Sequence, residues 1–391
     1  MSFPETEILT NLVARVFRVN DVTAGDPKQF HFRYRGQLLS EDTVAAYDQL
    51  DVSVASFNLM PLFRIEKGEQ VIYLVTRLSE PPPMKTSTPI ILFILTVFSV
   101  MLAGVQPEGV PPEGVFAQIL FLLKNIFSGW PFALSLLSIL LAHEFGHYFM
   151  SRYHKTPATL PYFIPFPFSP LGTMGAAILM RGIPKNKRIL FDIGVAGPLA
   201  GLVVAIPVLF IGLFMSTQTT LLASPNGFLE GNSLFYLIAK YLSFGQWLPA
   251  PAEPHTILYW LSFFFTGHPI PFGGQDVLIS NVAFAGWAGL LVTALNLIPA
   301  GTLDGGHVVY SLFGEKASKA FPYILGVLAV LGLFWTGWWL WAVILLWLGR
   351  VHAEPLDQIT PLDPSRRTVA LLVIILFILV FSPVPFMSLA Q

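Results

Sequence analysis

The chain has 391 residues, 54% hydrophobic and only 12% charged, an apolar excess beyond the needs of one water-soluble core, so it reads as a membrane protein. A formal net charge of −1 with no long basic run excludes the electrostatic footprint of a nucleic-acid binder. The absence of cysteine excludes disulfides, thiolate nucleophiles and Cys-based metal sites together, which leaves His, Asp and Glu to hold any metal.

Residues 1–80 have the composition of a small soluble α+β domain. Apolar spacing predicts an amphipathic helix over Pro4–Val19, and its charges Glu5, Glu7, Arg15 and Arg18 do not fit a cleavable signal. The N-terminus is therefore expected to be retained and cytosolic. The alternation Phe30-His31-Phe32-Arg33-Tyr34-Arg35 predicts a strand, Ser40-Glu41-Asp42-Thr43 the start of a second helix, and Lys67-Gly68-Glu69 the turn of a hairpin. Pro81-Pro82-Pro83 predicts a stiff linker within 81–88, ahead of a membrane-embedded domain over 89–384.

A bilayer core about 30 Å thick takes about 20 apolar residues per helix. Thr86–Val105, Pro131–Tyr153, Ile193–Phe214, Val282–Ala300 and Thr368–Val384 meet that length. Ala320–Gly349 is too long for one span and is expected to fold as two helices turning at Thr336-Gly337 among Trp335, Trp338 and Trp339, with Arg350 snorkelling from the second. The expected fold is thus a mainly α polytopic membrane protein of about seven transmembrane helices, with a short membrane-associated β segment and the α+β domain in front. Segments 116–130 and 228–266, broken by Lys124, Pro249, Pro251 and Pro254, are expected to lie along the membrane surface or dip in partway. Orientation follows basic residues. Arg64, Lys67, Arg77 and Lys85 precede the first span, and the loop Gln106–Gly114 carries only Glu108 and Glu113. Arg152, Lys155, Arg181, Lys185, Lys187 and Arg188 mark the next inner loop, whereas 215–281 has Lys240 alone.

The chemistry concentrates in Ala142-His143-Glu144-Phe145-Gly146-His147, an H-E-x-x-H near the inner end of a membrane helix. Helix positions four apart differ by about 40°, so both imidazoles can face one metal while Glu144 lies beside it as general base. The bland reading has these groups cross-linking helices by hydrogen bonds. Helix glue has no need of this spacing, and charged groups in a membrane helix cost about 2.5–3.5 kcal/mol each to insert. A catalytic metal generally takes a third protein ligand, for which Asp304 in Asn296-Leu297-Ile298-Pro299-Ala300-Gly301-Thr302-Leu303-Asp304-Gly305-Gly306-His307 is the natural candidate. Pro299 breaks the helix, and the glycines permit a tight backbone that brings a short carboxylate inward. Read alone, Asp304 would more often be a helix-end residue meeting solvent; the upstream motif reverses that preference.

Together these residues resemble the site-2 protease family of intramembrane metalloproteases, which pairs H-E-x-x-H with a later N-x-x-P-x-x-x-L-D-G. The resemblance covers about residues 86–350. It implies a catalytic zinc ion held by His143, His147 and Asp304, Glu144 as base, and Asn296 steadying the charge on the attacked carbonyl. The competing role for Asn296 is a helix–helix hydrogen bond. It also implies a membrane-protein substrate, a single-span one being the first expectation, cleaved within or beside the lipid bilayer in regulated intramembrane proteolysis. Leu171-Gly172-Thr173-Met174-Gly175-Ala176-Ala177-Ile178, following the proline-rich Pro157–Pro170, resembles the strand to which the family is thought to pair substrate; a purely structural re-entrant loop is the alternative. Gly194, Gly197 and Gly201 resemble the family's small-residue span, packed closely on the motif helix. No PDZ module is expected in 215–281. The layout is nearest the bacterial and chloroplast branch, and without a visible transit peptide a prokaryotic plasma membrane is expected. His307 could line the site, whereas His31, His154, His255, His268 and His352 lack partner spacing. Two other functions fit the ligands: a non-proteolytic zinc-binding chaperone or receptor, which has no use for Glu144, and a metal transporter, for which no inverted repeat is visible.

Overall fold

The computed structural model describes residues 3–79, 82, 84–105, 114–224, 227–348 and 354–390. Four earlier expectations fall outside them: the Pro81 and Pro83 ends of the linker, the acidic loop residues Glu108 and Glu113, the snorkelling Arg350, and His352. The chain divides into two compact units, one of residues 1–83, 181–192 and 353–367, the other of 84–180, 193–352 and 368–391.

In the first unit α1 (Phe3–Ala14) precedes β1 (Phe17–Ala24), β2 (Phe32–Leu38), α2 (Thr43–Val54), β3 (Leu59–Glu66) and β4 (Glu69–Thr76), and the strands form an antiparallel sheet in the order β1-β2-β4-β3. The helix expected to reach Val19 stops at Ala14, because Phe17 and Val19 pair with Leu38 and Gly36 and tertiary pairing overrides helical spacing. Asp42 caps α2 by accepting a 3.0 Å hydrogen bond from the Ala45 N–H. The β3–β4 turn places Lys67 and Gly68 at φ 51° and 90°, the left-handed pair that a two-residue hairpin requires. Leu9, Val13, Phe17, Tyr34, Tyr47, Leu50, Phe63 and Ile72 form the core between helices and sheet.

This unit does not end at residue 80. The outer edge of β3 takes up a distant segment: the Phe63 N–H donates to the Leu356 carbonyl at 2.9 Å and the Gln358 N–H to the Phe63 carbonyl at 3.0 Å. On the segment's other side, the Leu356 and Asp357 N–H groups donate to Pro184 and Lys185 carbonyls at 3.0 and 2.7 Å. Asp357 is fully buried there and accepts from the Ile359 and Thr360 N–H groups at 2.8 and 3.1 Å and from the Thr360 hydroxyl. The edge strand of the N-terminal sheet is thus covered by chain from far downstream.

From residue 84 the chain is predominantly helical: α3 (Ser87–Ala103), α4 (Val115–Lys124), α5 (Trp130–Tyr153), α6 (Lys187–Phe214), α7 (Leu234–Phe244), α8 (Ile257–Thr266), α9 (Asn281–Asn296), α10 (Asp304–Phe313), α11 (Phe321–Leu331), α12 (Gly337–Leu348) and α13 (Pro364–Val380). Short strands intervene as three antiparallel pairs: β5 (Tyr162–Pro165) with β6 (Thr173–Ala177), β7 (Thr217–Thr220) with β9 (Gln275–Leu278), and β8 (Phe228–Glu230) with β10 (Phe386–Ser388). Two helices among the described residues, Ile126–Tyr153 and Lys187–Phe214, each of 28 residues, are long and apolar enough to cross a membrane, rather than the seven expected. The others are shorter for local reasons. α9 stops after 16 residues just ahead of Pro299, and the stretch 320–349 is divided by a turn into helices of 11 and 12 residues.

The core of the second unit lies where α5, α6 and α9 meet, around Phe132, Leu136, Leu140, Leu202, Leu209, Ala288 and Leu290. Its outward surface is apolar, with Phe98, Phe214, Val343 and Ile378 all exposed, whereas Glu144, Lys240 and Asp276 are buried. That inside-out polarity suits a hydrocarbon surrounding. Where only surface-lying apolar segments were expected, α7 carries a buried ionic cluster. Lys240 Nζ lies 3.5 Å from Asp276 Oδ1 and 4.7 Å from the Tyr236 ring centre, and the Tyr236 hydroxyl donates to Glu230 Oε1 at 2.8 Å.

Candidate metal centre

α5 fixes the first half of the site. Its regular turn sets His143 and His147 on one face, both buried, with Nε2 atoms 3.2 Å apart. The His147 ring is held from behind: its Nδ1–H donates to the Ile193 carbonyl at 2.7 Å, so Nε2 is the nitrogen left with a free lone pair.

The second half comes from the break after α9. Gly301 adopts φ 55°, and α10 starts at Asp304 with its Gly305 so close to the preceding turn that a β-carbon would stand 2.0 Å from the Leu297 carbonyl. This backbone delivers Asp304 Oδ2 to 3.4 Å from His143 Nε2 and 3.3 Å from His147 Nε2. Asn296, the last residue of α9, points its amide Nδ2 at His143 Nε2 from 3.2 Å.

Three donor atoms at mutual distances of 3.2, 3.3 and 3.4 Å make a nearly equilateral triangle. Tetrahedral zinc with bonds of about 2.0–2.1 Å has ligand–ligand edges of about 3.3 Å, so the residues fit this ion without rearrangement. Two imidazoles and a carboxylate are also a donor set that zinc takes, leaving a fourth position open. His143, His147 and Asp304 are the group of this kind found among the described residues.

Glu144 is buried beside this triangle, and the Ile178 N–H, just past the end of β6, lies near its carboxylate. β6 pairs with β5 through Phe163 opposite Ala176 and Pro165 opposite Thr173. His307 lies one turn beyond Asp304 on α10, where a β-carbon on Gly194 would come within 2.9 Å of its Cβ; it is not in the ligand triangle. The sequence reading missed three contributors: the strand β5, the Ile178 N–H and the Ile193 carbonyl. The last two are backbone groups, which carry no residue signature. The one signal near them was the glycine spacing that follows Ile193.

Residues 131–333, which span all of these side chains, match the model for "Peptidase family M50". The chain is 31% identical over 262 residues to "Probable zinc metalloprotease EGY1, chloroplastic" of Arabidopsis thaliana, covering 65% of this chain and 43% of that relative. It is 30% identical over 317 residues to the protein of the same description from Oryza sativa subsp. japonica, covering 76% and 50%. To "Probable zinc metalloprotease EGY2, chloroplastic" of Arabidopsis thaliana it is 28% identical over 266 residues, covering 68% and 43%. The chain spans about half the length of the curated relatives it matches.

Proposed function

The chain belongs to peptidase family M50, the site-2 protease family, and from that premise we propose that it is a membrane-embedded zinc endopeptidase that cleaves membrane-protein substrates within or beside the bilayer. The observation that carries this reading is the triangle of His143, His147 and Asp304 at zinc spacing with buried Glu144 next to it.

His143 and His147 through Nε2, and Asp304 through Oδ2, would hold the ion. Zinc bound there supplies Lewis acidity, which polarises a peptide carbonyl and acidifies water. Glu144 removes the proton from the attacking water and passes it to the leaving amine, a role served by a carboxylate that sits beside the ligands without being one. Asn296 donates its amide N–H to the carbonyl oxygen as negative charge builds there, consistent with the approach of Nδ2 to His143 Nε2. A helical substrate hides its peptide bonds, so an extended conformation is needed for attack. The end of β6 beside Glu144 supports pairing of an unwound substrate segment along that strand.

In this reading α3, α9, α11, α12 and α13 join the two long helices α5 and α6 as about seven spans, and the Lys/Arg-rich N-terminus is on the inner side of the membrane. The relatives' names place those proteins in chloroplasts, so the compartment proposed is a membrane of prokaryotic or plastid type. Cleavage in this reading is regulated, with the N-terminal unit as the element that selects or restrains substrate.

The test uses the full-length protein and its Glu144→Gln variant in proteoliposomes with tagged single-span membrane proteins. The wild type is expected to cut at least one, and the variant to keep its zinc while cleavage falls by about 10²–10⁴-fold. Equal processing of every candidate by both proteins rules the reading out.

A further inference from the structure

Helix α6 supplies no ligand, yet it touches all three ligand-bearing places. The Ile193 carbonyl receives the His147 Nδ1–H at 2.7 Å. One turn on, a β-carbon at Gly197 would stand 2.0 Å from His147 Nε2, the very atom that faces the metal position, and 2.3 Å from its Cδ2. At Gly201 a β-carbon would meet His143 Cβ at 3.2 Å and Nδ1 at 3.3 Å. At Gly194 it would meet His307 Cβ at 2.9 Å, on the helix that Asp304 opens. Positions 194, 197 and 201 fall within about 60° of one another around a helix, so these glycines form one face. The approach is mutual, since a β-carbon on Gly146, inside the motif of α5, would stand 2.5 Å from the Ala196 carbonyl.

Packing alone does not account for the placement. Glycines that let two helices approach need only meet backbone or apolar side chains, as Gly289 of α9 does against Ile139 and Ala205. Gly197 meets the coordinating edge of an imidazole, and four residues earlier the same helix fixes that imidazole's tautomer.

We infer that α6 is the positioning element of the metal centre. The Ile193 carbonyl sets which nitrogen of His147 faces the ion, and Gly197, with Gly201 behind His143, fixes how far each ring stands back. This rests on the zinc reading above. The residues act through the ligands, so their signature is metal affinity and coordination geometry rather than stability.

The experiment measures zinc affinity by chelator competition, and the visible spectrum of the cobalt(II)-loaded protein, for the full-length wild type and its Gly197→Ala, Gly201→Ala and Gly289→Ala variants, each at matched folded fraction. Gly197→Ala is expected to weaken zinc at least about tenfold and to shift the cobalt bands, as loss of a supporting contact to a ligand does. Gly201→Ala should shift them less, and Gly289→Ala, which adds a buried methyl away from the ligands, should leave affinity and spectrum unchanged. Wild-type affinity and spectrum in Gly197→Ala would overturn the inference. Should that variant fail to fold, identical cobalt spectra for Gly201→Ala and Gly289→Ala would overturn it equally. A wild type that takes up no zinc or cobalt instead removes the zinc reading on which it rests.

Discussion

Two places in the second unit bury charge among apolar side chains, and they solve the same electrostatic problem in opposite ways. On α7 and its neighbouring strands, Glu230 and Asp276 are buried with Lys240, which lies over the Tyr236 ring, so the cation comes from the chain itself. In the metal centre, buried Glu144 and the half-buried Asp304 lie against His143 and His147, groups that are neutral when they ligate a metal. A buried carboxylate without a positive partner costs several kcal/mol. The cluster on α7 thus draws its cation from the chain, whereas in the function proposed above the metal centre draws its cation from outside.

Substitutions that exchange these properties test the contrast, beginning with the most severe. Asp304→Ala removes the anionic ligand and is expected to abolish both zinc binding and cleavage, while the folded protein persists; elemental analysis of the purified variant checks it. Lys240→Met should do the reverse. It leaves Glu230 and Asp276 buried without their cation and is expected to destabilise the protein by about 3–5 kcal/mol, seen in denaturant unfolding, with full zinc content in the molecules that remain folded. Asn296→Ala is expected to retain zinc and lose about 10²–10³-fold in turnover, if its amide stabilises developing charge rather than joining helices. A fall in stability with turnover intact would mark it as a helix–helix link.

The first unit supplies the smaller effects. Burial raises the Asp357 carboxyl above its ordinary range, so the folded state binds that proton more tightly than the unfolded chain does. Its contribution to stability is therefore fully present below the unfolded carboxylate value and lost as pH rises through the folded one. Asp357→Asn is expected to flatten that part of the stability–pH curve, measured by thermal unfolding across acidic to neutral pH. Asp42→Ala removes the cap of α2 and is expected to cost about 1 kcal/mol in the same assay.

How far the sequence reached follows the range of the interactions involved. The placement of His143 and His147 was legible because four residues of helix fix it, and Lys67-Gly68 because a two-residue turn has one chemistry. Asp304 needed the upstream motif, since its approach depends on a break at Pro299 and a left-handed Gly301 that together reorient the backbone. The end of α1 was misplaced because Phe17 satisfies both helical spacing and a strand pairing with Leu38, and the non-local pairing wins. Pairings such as Phe63 with Asp357, or Met387 with Leu229, join residues more than a hundred positions apart and leave no local pattern. The Ile193 carbonyl and the Ile178 N–H are invisible to side-chain chemistry altogether.

X-ray absorption at the zinc edge of the purified full-length protein asks most directly whether His143, His147 and Asp304 share an ion. A single zinc shell of nitrogen and oxygen at about 2.0–2.1 Å with imidazole scattering is the expected result, with its imidazole scattering reduced in His147→Ala and the zinc signal lost in Asp304→Ala. Zinc absent from the wild type, or a spectrum that neither substitution changes, would contradict it.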